Sequence, residues 1–437
     1  MKIKNNKKII QGWVFYDWAN SVFPLVITSA IFPNFYEYVT SHHPETKEFT
    51  GTVVEFFGHK FQNTTVYSMV YSFALLIVVL IVPILSGIAD YLGNKKRFLQ
   101  LFCYLGAVSS MMLYFFNPEH LEMSVLPFMT ATIGYWGSLV YYNSYLPEIV
   151  DEKFQDKVSA KGFAYGYFGS SLLLIICLLL IMSFKVPVRY SFLLVGLWWI
   201  MFAQFTFKRL PDIIGGKSHS HKNILLKGYL ELSKTLKEAI RIDAIKKFLL
   251  SYFFYNMGVQ TVMVMAVLFA RQEIQWPDEN YKTTALIISI LIIQFLGIAG
   301  SYFFSFLSAL KGNIIALMVA VSVWIFICLY TYFSVYYPEQ FYIVAALVGF
   351  VMGGTQSLSR STYSKLLPET LDHASYFSFF DVLEKIGMII GTLSFGLIGE
   401  YFGGLRNSVP VLSTYFILGL GLLFLLLKEN KKLRLKK

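Results

Sequence analysis

The sequence predicts an all-α integral membrane protein of about twelve transmembrane helices, built as two similar six-helix halves. Three observations predict it. Apolar runs of roughly 20 residues, the length that crosses ~30 Å of hydrocarbon, recur along the whole chain. Lys and Arg crowd into one alternating set of the loops between those runs. Two short motifs recur about half a chain apart.

Only 14% of the 437 residues are charged and 56% are hydrophobic, whereas soluble domains carry about 25% charged residues. Backbone inside lipid must bond to itself, so the apolar runs read as helices. The alternation of a lipid-spanning β-barrel is absent. The net charge of +11 sits in short interhelical loops, and no nucleic-acid motif accompanies it. The partner is therefore a bilayer and not a nucleic acid. Cys103, Cys177 and Cys328 all fall inside spans, without zinc or disulfide spacing, and read as core residues. No metal or cofactor is expected. No phosphate-binding loop and no nucleophile–base constellation is recognisable, which argues against an enzyme. The basic N-terminus leads into an apolar stretch that contains Asp17 and Asn20 and lacks a cleavage site. It reads as the first span and not as a removed leader.

The first-half spans are placed at 12–39, 65–87, 97–117, 124–146, 162–184 and 189–208. Those of the second half are placed at 246–270, 282–309, 313–334, 339–362, 376–400 and 409–428. Residues 1–208 form the N-terminal half, 209–245 a linker, and 246–437 the C-terminal half. Of the 37 Lys and Arg, 29 lie on the face bearing both termini, 7 lie on the other face, and Lys385 lies within a span. The positive-inside rule then puts both termini in the cytoplasm. A bacterial inner membrane is the default location. In the linker, Leu225, Tyr229, Leu232, Leu236 and Ile240 form one apolar stripe. Such a helix suits a membrane surface or an ordinary connection between halves. His219 and His221, just before it, read as a solvated loop in preference to a metal site.

Ser86-Gly-Ile-Ala-Asp-Tyr-Leu-Gly-Asn94 has a counterpart in Ser305-Phe-Leu-Ser-Ala-Leu-Lys-Gly-Asn313. Leu146-Pro147-Glu148 likewise returns as Leu367-Pro368-Glu369. Two matches at nearly one offset imply halves related by an axis along the membrane normal. Asp90-Tyr-Leu-Gly93-Asn-Lys95-Lys96-Arg97 resembles the major facilitator signature between spans two and three, with Ser86 replacing its first glycine. The resemblance implies the major facilitator fold, with Asp90 latching the halves in part by meeting a helix N-terminus. It implies a tight turn at Gly93, and a loop held in the cytoplasm by Lys95, Lys96 and Arg97. The second copy has Ala309 in place of the acid, so any latch there is expected to be lost.

Further blocks resemble the vacuole-effluxer-like, autophagy-related permeases. They are Tyr16-Asp17-Trp18-Ala19-Asn20-Ser21, Tyr142-Asn143-Ser144-Tyr145-Leu146-Pro147-Glu148, and Ser159 with Gly162 through Ser170. Gly353-Gly354-Thr355-Gln356-Ser357-Leu358-Ser359-Arg360-Ser361 and the stretch 377–385 complete the set. Fungal members of that branch are associated with amino-acid export from the vacuole, so the resemblance implies a permease and efflux.

Charged groups inside a span cost about 2.5–3.5 kcal/mol each on insertion scales and face cavities. Asp17, Asn20, Ser21 and Pro24 share one helical face of span one, where an acid, an amide and a hydroxyl can hold an ammonium or a proton. Asp381 and Lys385 are four apart and can pair, leaving Glu384 less compensated. Gln356 and Arg360 share a face of span ten, after Gly353 and Gly354, and Arg360 can take a substrate carboxylate or a neighbouring acid. Asn256 and Gln260 lie one turn apart in span seven, suited to substrate or to interhelical bonding. Tyr135, Trp136 and Tyr142 can line the cavity but read first as packing or lipid contacts, and Gly162, Gly166 and Gly169 read as close-packing positions. Asn63-Thr-Thr65 fits a glycosylation acceptor. All seven histidines fall in expected loops and span four lacks an arginine. Any proton coupling must then rest on Asp17, Asp381 or Glu384, with Lys385 beside them. These residues point to a secondary transporter of small polar solutes, amino acids first, working by alternating access; a monomer is the default, which the residues do not themselves determine. A multidrug or lipophile exporter, or a non-transporting scaffold or membrane enzyme, are the alternatives.

Overall fold

The computed structural model describes residues 3–43, 46–212 and 224–435. His219 and His221 lie outside the described residues, as does the side chain of Leu225.

The first span is broken. Helix α1 (Lys7–Asn20) starts at Asn6, whose side chain accepts from the Lys8 N–H. A π-helical stretch follows at Phe23–Ala30, then α2 (Phe32–Ser41). Pro24 lacks an N–H and interrupts the α-helical ladder, and the wider turn closes by Ile31 N–H to Val26 O at 2.9 Å. Ser29 Oγ satisfies the Pro24 carbonyl at 2.8 Å. A small antiparallel hairpin then adds two strands to the expected all-α architecture, β1 (Val53–Phe56) and β2 (His59–Gln62). Asn63 opens α3 (Asn63–Leu92) and is buried, donating to Thr40 Oγ1 at 2.9 Å. This corrects the glycosylation reading, because the amide is enclosed and engaged.

The first half continues with α4 (Lys95–Met112), a short α5 (Leu121–Ser124), α6 (Leu126–Ser144), a one-turn α7 (Leu146–Ile149), α8 (Glu152–Met182) and α9 (Tyr190–Arg209). After α10 (Ile224–Arg241) come α11 (Asp243–Glu273), α12 (Glu279–Lys311), α13 (Asn313–Ser334), α14 (Pro338–Leu366), α15 (His373–Tyr401) and α16 (Val409–Leu435). Among the described residues, ten helices are long and apolar enough to cross a membrane. The two further expected crossings are the broken α1–α2 span and α6, whose Thr, Ser, Gly and Tyr content lowers its hydropathy.

Each repeat motif turns on a glycine of positive φ. Gly93 ends α3 at φ +65° and Gly312 ends α12 at φ +90°, both in the region that only glycine enters cheaply. Helix α10 docks along α3 and α15 through Gly228, Thr235 and Ala239. Gly228 meets the Gly87 backbone. The predicted apolar stripe points elsewhere: Tyr229, Leu236 and Ile240 are exposed. Small residues thus set the docking face, Leu232 is half-buried, and Tyr229, Leu236 and Ile240 are left outward.

In the second half α12 lies along α14 so closely that Gly300 touches the Phe350 carbonyl and Gly353 touches Gly297 O. Gly354 meets the Phe304 ring. Gly300→Ala is therefore expected to lower the unfolding midpoint in detergent, since overpacking costs about 1–3 kcal/mol. Gly396→Ala, where an added methyl meets nothing within 4 Å, serves as the unaffected control.

Candidate functional site

Asp17 of α1 and Arg360 of α14 are 343 residues apart and form a buried ion pair between the halves. Arg360 Nη1 and Nη2 both donate to Asp17 Oδ2 at 3.2 Å, and the Tyr142 hydroxyl donates to the same oxygen at 2.7 Å. Arg360 Nε donates to Ser159 Oγ at 3.0 Å, Nη2 to Ser159 O at 2.9 Å, and Nη1 to Asn143 Oδ1 at 3.3 Å. All five guanidinium N–H groups are thereby used, which is what a buried arginine needs. The guanidinium lies 4.2 Å from the Phe163 ring centre and 4.7 Å from that of Trp13. Trp13 itself stacks on Tyr142 at 4.5 Å.

The α8 glycines have a sharper purpose than the close packing expected of them. Gly162 faces Asp17 Oδ2 and Arg360 Nη2, Gly166 faces Ser21 Oγ, and Gly169 faces Trp18. They let α8 lie flush on the polar face of α1. Tyr142, expected to pack or meet lipid, is instead a direct partner of Asp17. Asn20 is buried with Nδ2 unpartnered among the described residues. Among the described residues, Ser21 Oγ donates only to Asn20 Oδ1, at 3.5 Å. Gln356 accepts from the Tyr167 hydroxyl across the halves at 2.7 Å.

A second cluster sits on α15. Lys385 is fully buried, ion-paired to Asp381 and 3.4 Å from Glu384 Oε2. Its ammonium lies 3.6 Å from the centre of the Trp136 ring, across the half interface. Glu384 Oε1 accepts from Gln260 Nε2 at 2.5 Å. The pairing of Asp381 with Lys385 is as the spacing predicts. Trp136, read as packing or lipid contact, closes this cluster. Two carboxylates thus face one ammonium. Asn256 is buried on α11, its Nδ2 also unpartnered among the described residues. Tyr142 and Trp136 are six residues apart on α6, so the two clusters are spaced by roughly 9 Å along that helix.

At the face bearing the N-terminus, Asp90 meets the start of α15. It accepts from Ala374 N–H at 3.2 Å, Ser375 N–H at 2.7 Å and Ser375 Oγ at 2.8 Å. A carboxylate there answers unpaired helix-terminal donors and the helix dipole. The basic residues of the motif differ from expectation. Lys95 and Lys96 are buried, and Arg97 alone is exposed. Lys95 pairs with Glu148, which also accepts from His373 Nδ1 at 2.9 Å. Lys96 does not reach the second half: it bonds Leu210 O at 3.0 Å and Asp212 at 2.7 Å, at the start of the linker. His373, expected in a loop, opens α15 and is buried. At the opposite face, Arg271 donates to Asn34 at 2.9 Å.

The chain matches the family described as vacuole effluxer Atg22 like over residues 5–155 and 151–436. It is 30% identical to the MFS-type transporter YxiO of Bacillus subtilis, over 98% of this chain and 97% of that protein. Autophagy-related protein 22 of Vanderwaltozyma polyspora is 25% identical over 98% of this chain and 93% of its own. Among solved structures, the E. coli fucose:proton symporter FucP aligns with a TM-score of 0.69 at 14% identity, covering 96% of this chain and 97% of that one. A bacterial homologue of the iron transporter ferroportin aligns at 0.68 and 13%, covering 98% and 100%. At these identities the structural likeness shows the fold, that of major facilitator transporters.

Burial pushes the Glu148 carboxyl up, but the Lys95 ammonium and His373 outweigh it and hold it below the ordinary value. Its contribution to stability is therefore complete above ~pH 4.3, the unfolded value, and is lost only as pH falls through the lowered folded value. Glu148→Gln is expected to destabilise the detergent-solubilised protein by about 3–5 kcal/mol, the range for breaking a buried pair. Thermal melts across pH should show a constant gap between the two proteins above that value, closing below it.

Proposed function

Because the chain belongs to the Atg22-like vacuole effluxer family of major facilitator transporters, we propose that it carries small zwitterions, amino acids first, by proton-coupled alternating access. The observation that supports this most is the Asp17–Arg360 pair, which joins the halves inside the bundle. A zwitterion brings the same two charges in the same number. Its carboxylate can take Arg360 while its ammonium takes Asp17, so the pair separates without leaving a buried charge unpaired. A lipophilic cation satisfies only Asp17 and strands the guanidinium.

The second cluster supplies the coupling. Asp381, Glu384 and Lys385 leave one carboxylate in excess, and a membrane interior disfavours an uncompensated charge. One proton, carried on Glu384, balances it. The Gln260 amide holds that carboxyl toward the second half. The basic face is cytoplasmic by the positive-inside rule, in a bacterial inner membrane. Asp90 at the α15 N-terminus keeps that face closed, and opening it requires both the Asp90 cap and the Asp17–Arg360 tie to part. The exposed stripe of α10 lies in the lipid headgroup layer of the same face.

The test is uptake of a labelled amino-acid mixture into proteoliposomes, with and without an inward proton gradient. Gradient-stimulated uptake is expected. Glu384→Gln should abolish the stimulation while sparing exchange of internal for external substrate. Asp17→Asn should cut uptake and exchange at least ~10-fold, since losing one partner of a buried charge pair costs about 2–5 kcal/mol. Competition by hydrophobic cations in place of amino acids would instead identify a lipophile exporter. No uptake under either gradient polarity would remove amino acids as the substrate.

A further inference from the structure

The two repeat copies are unequal at the position of the latch acid. Asp90 in the first copy reaches across to α15. Its counterpart in the second copy is Ala309, an exposed methyl with nothing to reach with. By the repeat symmetry, the missing contact is one between the α12–α13 turn and the start of α8.

That contact exists, with its polarity reversed. Asp156 lies in the second turn of α8, in the first half, and is buried. Its Oδ2 accepts from Ser308 Oγ at 2.8 Å and from Lys365 Nζ at 2.7 Å, and its Oδ1 accepts from Asn313 Nδ2 at 2.7 Å. All three donors belong to the second half: Ser308 ends α12, Asn313 opens α13, and Lys365 closes α14. Asn313 holds the ring together. Its Oδ1 accepts from Lys365 Nζ at 3.0 Å, and its Nδ2 also reaches Thr362 Oγ1 at 3.1 Å. Asn313 is the repeat counterpart of Asn94, so the turn keeps its amide while the acid sits on the opposite wall. A shallow crevice of about 460 Å³, lined by Asp151, Glu152, Lys153 and Lys365, opens beside the ring. The pair is thus at the aqueous rim and not deep in the bundle.

We propose that Asp156 is a second gate residue, holding α8 to the α12–α13 turn and to Lys365, and that it replaces the acid lost at Ala309. Asp90 and Asp156, both carried by the first half, then fasten the basic face to the second half at two places. Asp156 touches no substrate; it positions the halves. This rests on the alternating-access reading but not on the identity of the substrate. A part of the chain holding one half cannot show it, so the whole protein is needed.

The experiment measures distances between spin labels at Lys157 on α8 and Lys311 on α12, both exposed, in the full-length protein in lipid nanodiscs. The background has its three buried cysteines replaced. The parent protein should show a single short distance. Asp156→Ala should move population to longer distances, and Asp156→Asn, which can still bond Lys365, should move less. The charge-swapped pair Asp156→Lys with Lys365→Asp should return the short distance, which a merely structural role does not predict. Asp90→Ala is the reference for an opened latch. Unchanged distances in Asp156→Ala, while Asp90→Ala responds, would overturn the proposal. So would a long distance that the swap fails to recover. Because no substrate enters this measurement, failure of amino-acid uptake would sink the substrate assignment and leave this result standing.

Discussion

A guanidinium and a carboxylate buried between two halves of a membrane bundle constrain everything near them. Neither charge survives there without full hydrogen bonding, and the surroundings are built to supply it. Four helices meet at the pair: α1 brings Asp17, α14 brings Arg360, α6 brings Tyr142 and Asn143, and α8 brings Ser159. The aromatic rings of Trp13 and Phe163 cover the guanidinium where donors are not needed. Gly162 is a consequence of the same constraint, since any side chain there collides with the carboxylate. The polar face of α1, the glycine face of α8 and the end of α14 are one assembly.

The basic face is organised by a different kind of electrostatics. There the partners are helix ends and their flanking side chains, at the edge of the hydrocarbon. Asp90 takes up donors that the first turn of α15 leaves unpaired, and Glu148 balances Lys95 while accepting from His373. Asp156, also on the first half, does comparable work with side-chain donors that all come from the second half. A duplicated architecture therefore does not require duplicated contacts. What persists between the copies is the glycine turn and its asparagine; what changes is which wall carries the acid.

Breaks in regular helix also serve the site. The π-helical turn after Pro24 leaves Asn20 and Ser21 just before a change of direction, with an amide N–H of Asn20 unpartnered among the described residues. Asn256, with Tyr four residues earlier as in the Tyr16–Asn20 segment, has the same unpartnered amide on the first helix of the second half. Low apolar content in α1 and α6 is thus the local price of a polar interior, and these are the two crossings that length and hydropathy alone do not reveal.

The sequence by itself determined the helical membrane bundle, its two halves and the glycine turns at Gly93 and Gly312. Each follows from local periodicity, charge placement or a repeat, all readable along one strand of text. It also marked Asp17, Arg360, Asp381, Glu384 and Lys385 as costly groups inside spans, because the expense of burying charge does not depend on neighbours. The Asp381–Lys385 pairing was readable too, since four residues span one helical turn. Only the tertiary structure decided that Asp17 meets Arg360, that Gln260 holds Glu384, and that Trp136 and Tyr142 are partners and not packing. Those contacts depend on how each helix is rotated about its axis, and rotation is set by packing over the whole bundle. The same holds for α10, whose small residues dock while Tyr229, Leu236 and Ile240 face out. It holds for Asp156, an ordinary acid in a helix until the opposite half brings Lys365 and Asn313 to it.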